Sequence, residues 1–250
     1  MAHVRAVQAD YDARSPRWSD VYEGTSYHDI VLQRRLAITS QLLAGRDRTV
    51  SGSALDVGCG AGQLLEVLRA EGSPIVGIDV SWAQAASTKC RLGSAVIAQA
   101  DTRQLPFADA SVATVTALGL LEYLPSSGAG IAEFARVLMR GGHLVVSAPN
   151  PWRLEYLCDP IGAGLGRLRR SRPGYRRQYL SARALGAKLR AGGFDVVEIR
   201  GHGLGRLTFA GRPLWSEARS VRVSDALCAR VPGSLCRLLG ANVVVIARRR

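Results

Sequence analysis

Three carboxylates in this chain close short apolar runs. Asp56 stands in "LDVGCGAG" (residues 55–62), Asp79 closes "IVGID" and Asp101 closes "AQAD". Behind the first come three glycines, Gly58, Gly60 and Gly62. A strand, a glycine-rich turn and a helix let a ligand approach backbone N–H groups. A dinucleotide would ask for G-x-G-x-x-G, so that its pyrophosphate could sit on the helix N-terminus. Gly58 and Gly60 fit, but position 63 is Gln63. The carboxylate of Asp56 would also repel a phosphate and attract an ammonium group. The turn therefore reads as facing an amino-acid end with no phosphate, which argues against a nicotinamide-dependent reductase.

The other two acids extend the ligand. Asp79 lies 21 residues after Gly58, at the end of the next apolar run. A carboxylate there can accept both hydroxyls of a ribose. Asp101 ends the run after that and could accept from an exocyclic adenine amine. Three acids and a glycine turn describe a nucleoside with an amino-acid tail, which is the shape of S-adenosylmethionine.

Such acids share a site only if the strands carrying them run in parallel. The pattern supplies that arrangement. "ALDVG", "PIVGIDV", "AVIAQAD", "VATVTALGLL" and "HLVVSAPN" read as strands, separated by helices in "AGQLLEVLRAEG", "SWAQAASTKCRLG" (Ser81 as N-cap) and "GIAEFARVLMRGG". Continuous apolar strands alternating with amphipathic helices predict a parallel sheet covered on both faces, an α/β fold. Right-handed crossovers bring the carboxyl ends of the strands to one edge, where ligands sit. Residues 1–54 read as helical and polar, with Leu32, Leu36 and Leu43 at helical spacing, and "AGRDRTVSGS" as a loop. After Asn150 the rhythm stops, resumes with a helix in "LSARALGAKLRAGG" and a strand in "FDVVEIRG", and ends on "ANVVVIARRR". We read one domain over 1–250, made of a helical cap (1–50), a core (54–150), a basic insertion (151–180) and a C-terminal part of the core (181–250) with an insertion at 202–239.

The bulk composition narrows the class. With 250 residues and 47% hydrophobic residues, one sizeable core can be buried. No uncharged apolar run reaches the roughly 18 residues of a membrane span. The opening "MAHVRAVQADYDARS" has no apolar signal-peptide centre, so a cytoplasmic protein is expected. Five cysteines without CxxC spacing suggest neither a disulfide framework nor a zinc site, and Cys59 reads as a buried packing thiol. Only Lys89 and Lys188 are lysines, an arginine bias of the kind a high-GC genome produces.

Four segments carry a family likeness. "LDVGCGAGQLL", "VGIDVS", "QADTRQLPFADASVATVTALGLLEYL" and "FARVLMRGGHLVVSAPN" resemble successive motifs of the class I S-adenosylmethionine-dependent methyltransferases. The branch most resembled holds quinone-biosynthesis and natural-product O-methyltransferases. The likeness covers about residues 54–150 in detail, and 178–200 and 241–248 more loosely. It implies a Rossmann-like, seven-stranded sheet with the last strand antiparallel. It implies that Gly58, Gly60 and Gly62 lie against the cofactor, Asp79 on its ribose, and Asp101 with Thr102 on its adenine. It implies that Asp56 acts on the methionine end, commonly indirectly, and that Ala117 and Leu118 offer backbone near the methionine amine. Val80 and Leu105 would line the adenine pocket. Tyr11 matches an aromatic that often closes the pocket from an N-terminal helix, and Arg17 and Trp18 are weaker versions of the same match.

Methyl transfer from a sulfonium mainly needs alignment and desolvation of the acceptor, with a general base depending on the acceptor's pKa. The candidate bases are few. His202 follows "FDVVEIRG" at the end expected to face the site, and His28 lies in the cap that folds over the cofactor in relatives. His143 opens "HLVVSAPN" at the far edge of the sheet, and His3 sits in a terminus expected to fray. Many relatives carry His where this chain has Tyr123, a hydrogen-bond donor but a poor base near neutral pH because a phenol's ordinary pKa is about 10. Asn150 and Trp152 follow the fifth strand and should face the acceptor.

The excess of cations is local. The formal charge is +13, and residues 160–194 hold nine Arg or Lys and no Asp or Glu. This stretch reads as a solvated lid, as a surface for an anionic membrane holding a lipid-soluble acceptor, or as a contact for an anionic substrate. It has no aromatic stacking platform, which disfavours nucleic acid and a tRNA methyltransferase. The function expected is O-methylation of a small molecule in bacterial secondary metabolism. A lipid or quinone methyltransferase and a non-catalytic S-adenosylmethionine-binding protein are the alternatives.

Overall fold

The structure is a computed structural model and describes residues 2–18, 20–47, 49–93, 95–169 and 175–250. Two helices open the chain, α1 (Ala2–Trp18) and α2 (Tyr27–Ala44). The start of α2 is fixed by a capping box, in which Asp29 N donates to Ser26 Oγ and Ser26 N to the Asp29 carboxylate. The alternating pattern then appears: β1 (Ala54–Val57), α3 (Gln63–Ala70), β2 (Ile75–Asp79), α4 (Trp82–Leu92), β3 (Val96–Gln99), β4 (Val112–Ala117), α5 (Ser127–Val137) and β5 (Leu138–Pro149). The first insertion folds into α6 (Leu154–Cys158) and α7 (Pro160–Arg169). It is followed by α8 (Ala182–Ala191) and β6 (Phe194–His202). The second insertion contains a small hairpin, β7 (Thr208–Phe209) with β8 (Arg212–Pro213), and then α9 (Glu217–Arg230) and α10 (Gly233–Leu239). The last strand is β9 (Asn242–Arg249).

The sheet has seven strands in the order β3-β2-β1-β4-β5-β9-β6. β1 to β5 run parallel, and β9 inserts antiparallel between β5 and β6. This is the expected Rossmann-like sheet. Its strands split their side chains between two faces, as a two-residue period requires. Leu55, Val57, Val115, Leu144, Val146, Val243 and Val245 pack with Ile131, Phe134, Leu185 and Leu189 of α5 and α8. The intervening Ala54, Val145, Val244 and Ile246 pack with Leu42, Leu43, Leu64, Leu65 and Leu68 of α2 and α3. The order reverses between β1 and β4, so a crevice opens at their carboxyl ends.

One boundary differs from the sequence reading. The helix expected to run through Met139 to Gly142 stops at Val137. Ala110 N and Ser111 N take the carbonyls of Arg136 and Val137, and Leu138 already pairs with Val112. Gly141, at φ +79°, lies where the register shifts before Thr114 meets His143. His143 therefore does not open its strand; it is buried well inside β5, opposite Arg248.

Gly62 shows what the third glycine of the turn does. It holds φ +80° at the N-cap of α3, and a Cβ there would lie 2.6 Å from Thr88 Cγ2 on α4. It is a helix-packing glycine. Gly62→Ala is expected to cost about 1–3 kcal/mol through backbone strain and this clash. A urea titration measures it, and an unchanged midpoint would contradict the packing role.

Candidate active site

The glycine turn is held from both sides. Gly58 N and Cys59 N donate to Ile78 O at 2.8 and 3.0 Å, folding the turn onto β2. From α4, Thr88 Oγ1 donates to Gly60 O and Arg91 to Ala61 O. Gly60, at φ +51°, faces the other way, where a Cβ would stand 2.8 Å from the indole Nε1 of Trp18. A cleft enclosing roughly 1000 Å³, its mouth included, runs over this turn.

Two carboxylates are buried along it. Asp79 accepts from Gly60 N and Ser81 N, each at 2.9 Å. Its burial raises its pKa, while the backbone donors oppose the shift. Asp56 is 3% exposed and accepts from Thr116 Oγ1 at 2.7 Å. Burial pushes it up to about 7; Thr116 and Arg35 oppose the rise and the neighbouring Asp79 adds to it. The nearby thiol of Cys59 is pushed well above its ordinary value by burial and by both acids, hence a thiol and not a thiolate. Asp101 and Thr102 also line the cleft. The carboxylate of Asp101 does not stand free as expected, because Arg103 takes both of its oxygens through its guanidinium.

The α1 helix roofs the cleft with Val4, Val7, Tyr11 and Trp18, and Tyr22 follows it. Tyr11 meets Trp18 and Tyr123 edge-on, with ring centroids 5.5 and 5.3 Å apart. The roof is latched at Asp12, which accepts from Ser81 Oγ at 2.5 Å and Ala83 N at 3.3 Å at the start of α4. His3 lies within α1, which begins at Ala2, and its Nε2 is 2.7 Å from Tyr123 O. The side chain of Arg17 lies outside the described residues.

Arg35 was not singled out by the sequence. It is 7% exposed, its Nε has no partner, and its guanidinium packs against Gly119 and the Tyr22 hydroxyl. It lines both the cleft and a second cavity of roughly 1070 Å³, mouth included. A signal was present, since position 35 falls on the buried stripe of α2 formed by Val31, Leu32, Thr39 and Leu42. An arginine on such a stripe needs a partner.

The second cavity is walled by Tyr27, His28, Glu122, Arg153, Arg177, Tyr179, Arg206 and Glu217. Glu122 is 4% exposed; one oxygen lies 3.2 Å from Arg177, and the other has no partner. Arg177 also covers the ring of Tyr123 at 4.8 Å.

The residues expected at the site thus divide. Tyr11, Asp56, Gly58, Gly60, Asp79, Val80, Asp101, Thr102, Leu118 and Tyr123 line the cleft. His28 lines the second cavity. Gly62 faces α4, Ala117 is packed into the core, and Leu105 is buried with its N–H on Glu133. His202 lines neither space. It is buried at the end of β6, on the wall of a separate pocket between α2 and α10, and burial with Arg35 and Arg34 nearby pushes its pKa to about 3. Asn150 does not face an acceptor but clamps the second insertion, donating to Leu238 O at 2.8 Å and Gly240 O at 2.9 Å. Trp152 is 56% exposed. Among the described residues no group of His, Cys, Asp and Glu is arranged to hold a metal ion.

Comparison with known proteins adds to this geometry. A profile of the methyltransferase domain matches residues 55–146. The chain is similar to a ubiquinone biosynthesis O-methyltransferase of Alkalilimnicola ehrlichii, with 32% identity across 62% of the chain and 64% of the relative, so the match spans less than two thirds of that relative. It is 30% identical to the protein of the same description from Pseudomonas paraeruginosa, across 77% of the chain and 84% of the relative. Its fold is similar to that of magnesium protoporphyrin IX methyltransferase from Synechocystis PCC 6803, solved with bound S-adenosylhomocysteine (TM-score 0.64, 15% identity, 98% of each chain).

The raised pKa of Asp56 has a consequence for stability. Unfolded, its carboxyl ionises near 3.8; folded, it ionises at about 7. Between these values the folded chain holds a proton that the unfolded chain has lost, so stability falls as pH rises through this window and the cost stays constant above it. Asp56→Asn is expected to be more stable at pH 8 by about 1 kcal/mol or more, a rise in melting temperature of ~2–4 °C per kcal/mol. The gain should vanish near pH 4. Thermal melts at both values test it, and an equal gain at both would contradict a buried ionisation.

Proposed function

The chain belongs to the S-adenosylmethionine-dependent methyltransferases, and from that premise we propose that it methylates a small organic acceptor at oxygen, in the secondary metabolism of a high-GC bacterium. One observation carries the reading. Bare glycine backbone, two buried carboxylates and a buried arginine surround one cleft, and that arginine also lines the second cavity. The buried groups complement the cofactor's parts. Asp79 has lone pairs left for a ribose after its two backbone bonds. Asp56 suits an ammonium, and the unpartnered Nε of Arg35 suits a carboxylate. Tyr11 and Trp18 would close the roof over the turn.

The chemistry that the cofactor supplies when bound is an electrophilic methyl group on a sulfonium. The chain's own residues would align and dry the acceptor. The second cavity is the place for it. There Glu122 offers an unpartnered oxygen to a hydroxyl, and His28 is within the same wall. His202 is withdrawn as a base because its ring is sealed from both spaces. Tyr123 becomes part of the roof.

Calorimetric titration with S-adenosylhomocysteine, with NADH and NADPH as controls, tests the reading. Micromolar binding of the first alone is expected. Binding of a nicotinamide cofactor, or of none of the three, would overturn it. Asp79→Ala should weaken S-adenosylhomocysteine at least tenfold, about 1.4 kcal/mol; unchanged affinity would remove the ribose role. A turnover screen over phenolic and polyketide-like acceptors then separates an enzyme from a cofactor-binding protein.

A further inference from the structure

Half of the large apolar side chains left exposed among the described residues belong to one appendage. Trp152, Leu157, Ile161, Phe209 and Leu214 all come from the segments around α6, α7 and the β7–β8 hairpin, and Phe209 is 70% exposed. Exposed apolar residues are ordinary when single; gathered on one unit they mark an interaction surface.

The unit is built, not loose. Asp159, between α6 and α7, is 4% exposed and its carboxylate takes four donors. Gly162 N and Ala210 N reach one oxygen at 2.8 and 3.0 Å, and Gly211 N and Thr208 Oγ1 reach the other at 2.8 and 2.7 Å. These bonds hold the carboxyl below its usual range. The backbone of α7 and the hairpin then meet closely, since a Cβ on Gly162 would lie 2.4 Å from Gly211 N. Ile161 and Phe209, the exposed neighbours of these contact points, are carried on one platform.

The charge near the platform is mostly positive; of the acids nearby, Glu155 on α6 borders the second cavity and Glu217 pairs with Arg206. Residues 160–194 carry nine Arg or Lys and no acid, Arg212 is exposed on the hairpin, and the charge of Asp159 is spent on backbone donors. Residues 170–174 of that stretch, and the side chains of 165–169, lie outside the described residues. Aromatic and aliphatic side chains set among arginines fit the boundary between acyl chains and anionic headgroups. A nucleic acid would use the arginines but leave the apolar residues in water.

We propose that this appendage docks the protein on an anionic phospholipid bilayer. Arg153 and Arg206, from the same segments, line the second cavity. A lipid-soluble acceptor would then enter from the bilayer, a consequence that rests on the proposed function; docking itself does not.

Co-sedimentation at low salt tests it, with vesicles of phosphatidylcholine alone and of phosphatidylcholine mixed equally with phosphatidylglycerol. Binding to the mixed vesicles only, weakening as salt rises, is expected. The double variant Ile161→Ser, Phe209→Ser should bind at least tenfold more weakly and keep the parent's affinity for S-adenosylhomocysteine. A blue shift of tryptophan emission on docking should be lost in Trp152→Phe and kept in Trp82→Phe. No binding at low salt, or equal binding by the double variant, overturns the proposal. So does self-association in sedimentation velocity that the double variant abolishes, since the occupant would then be a second copy. Titrating S-adenosylhomocysteine in the same samples keeps the two readings apart. Cofactor binding without vesicle binding sinks docking alone, and the reverse sinks the proposed function alone.

Discussion

Two carboxylates buried at the ends of adjacent strands are the constraint around which this molecule is arranged. Burial raises the cost of ionising both Asp56 and Asp79, and the neighbouring Asp79 raises that of Asp56 further. Folding supplies them with few donors, namely a threonine hydroxyl across β4 and two backbone N–H groups. Arg35 adds an opposing charge without an ion pair to either acid among the described contacts. Groups held this way are expensive in the free protein and become favourable when a ligand of the matching charge pattern arrives. The neighbouring glycines follow from the same constraint, because side chains at 58 or 60 would fill the space against Leu120 and Trp18.

The roof depends on this arrangement in turn. Asp12 reaches the N-terminus of α4 through Ser81, and Ser81 N is held by Asp79. The latch and the acid at the end of β2 are therefore mechanically joined. Opening α1 would disturb Asp79, and a ligand on Asp79 would meet Trp18 and Tyr11 overhead. Arg35 plays the matching part on the other side, bordering both the cleft and the second cavity. The cleft and the second cavity thus share a buried polar side chain as a common wall.

The core and the insertions obey different rules. The sheet and the helices on its faces bury continuous apolar surface, and the same solution serves many chemistries. The two insertions bury less and carry more charge. Yet they are ordered by polar clamps at their bases, Asp159 for the hairpin and Asn150 for the turn before β9.

The sequence by itself determined the strands, the glycine turn and the acids at the strand ends, because these are short-range features. Apolar runs fix strand phase, glycine fixes where backbone turns left-handed, and parallel crossovers fix which ends share an edge. The boundary after α5 was not legible, since the pairing of Leu138 with Val112 depends on a strand distant in sequence. Nor were the fates of single polar side chains. Asn150 and His202 do sit at carboxyl ends of strands, but the backbone of residues 238–240 and the packing of α10 claim them first. Arg35 was hidden for the converse reason: its helix phase said buried, and only the packing of its guanidinium against Gly119, just beyond β4, turned burial into a place on the wall of the cleft. Periodicity gives each residue a side; which neighbour waits on that side is decided by long-range packing, and only the tertiary structure holds it.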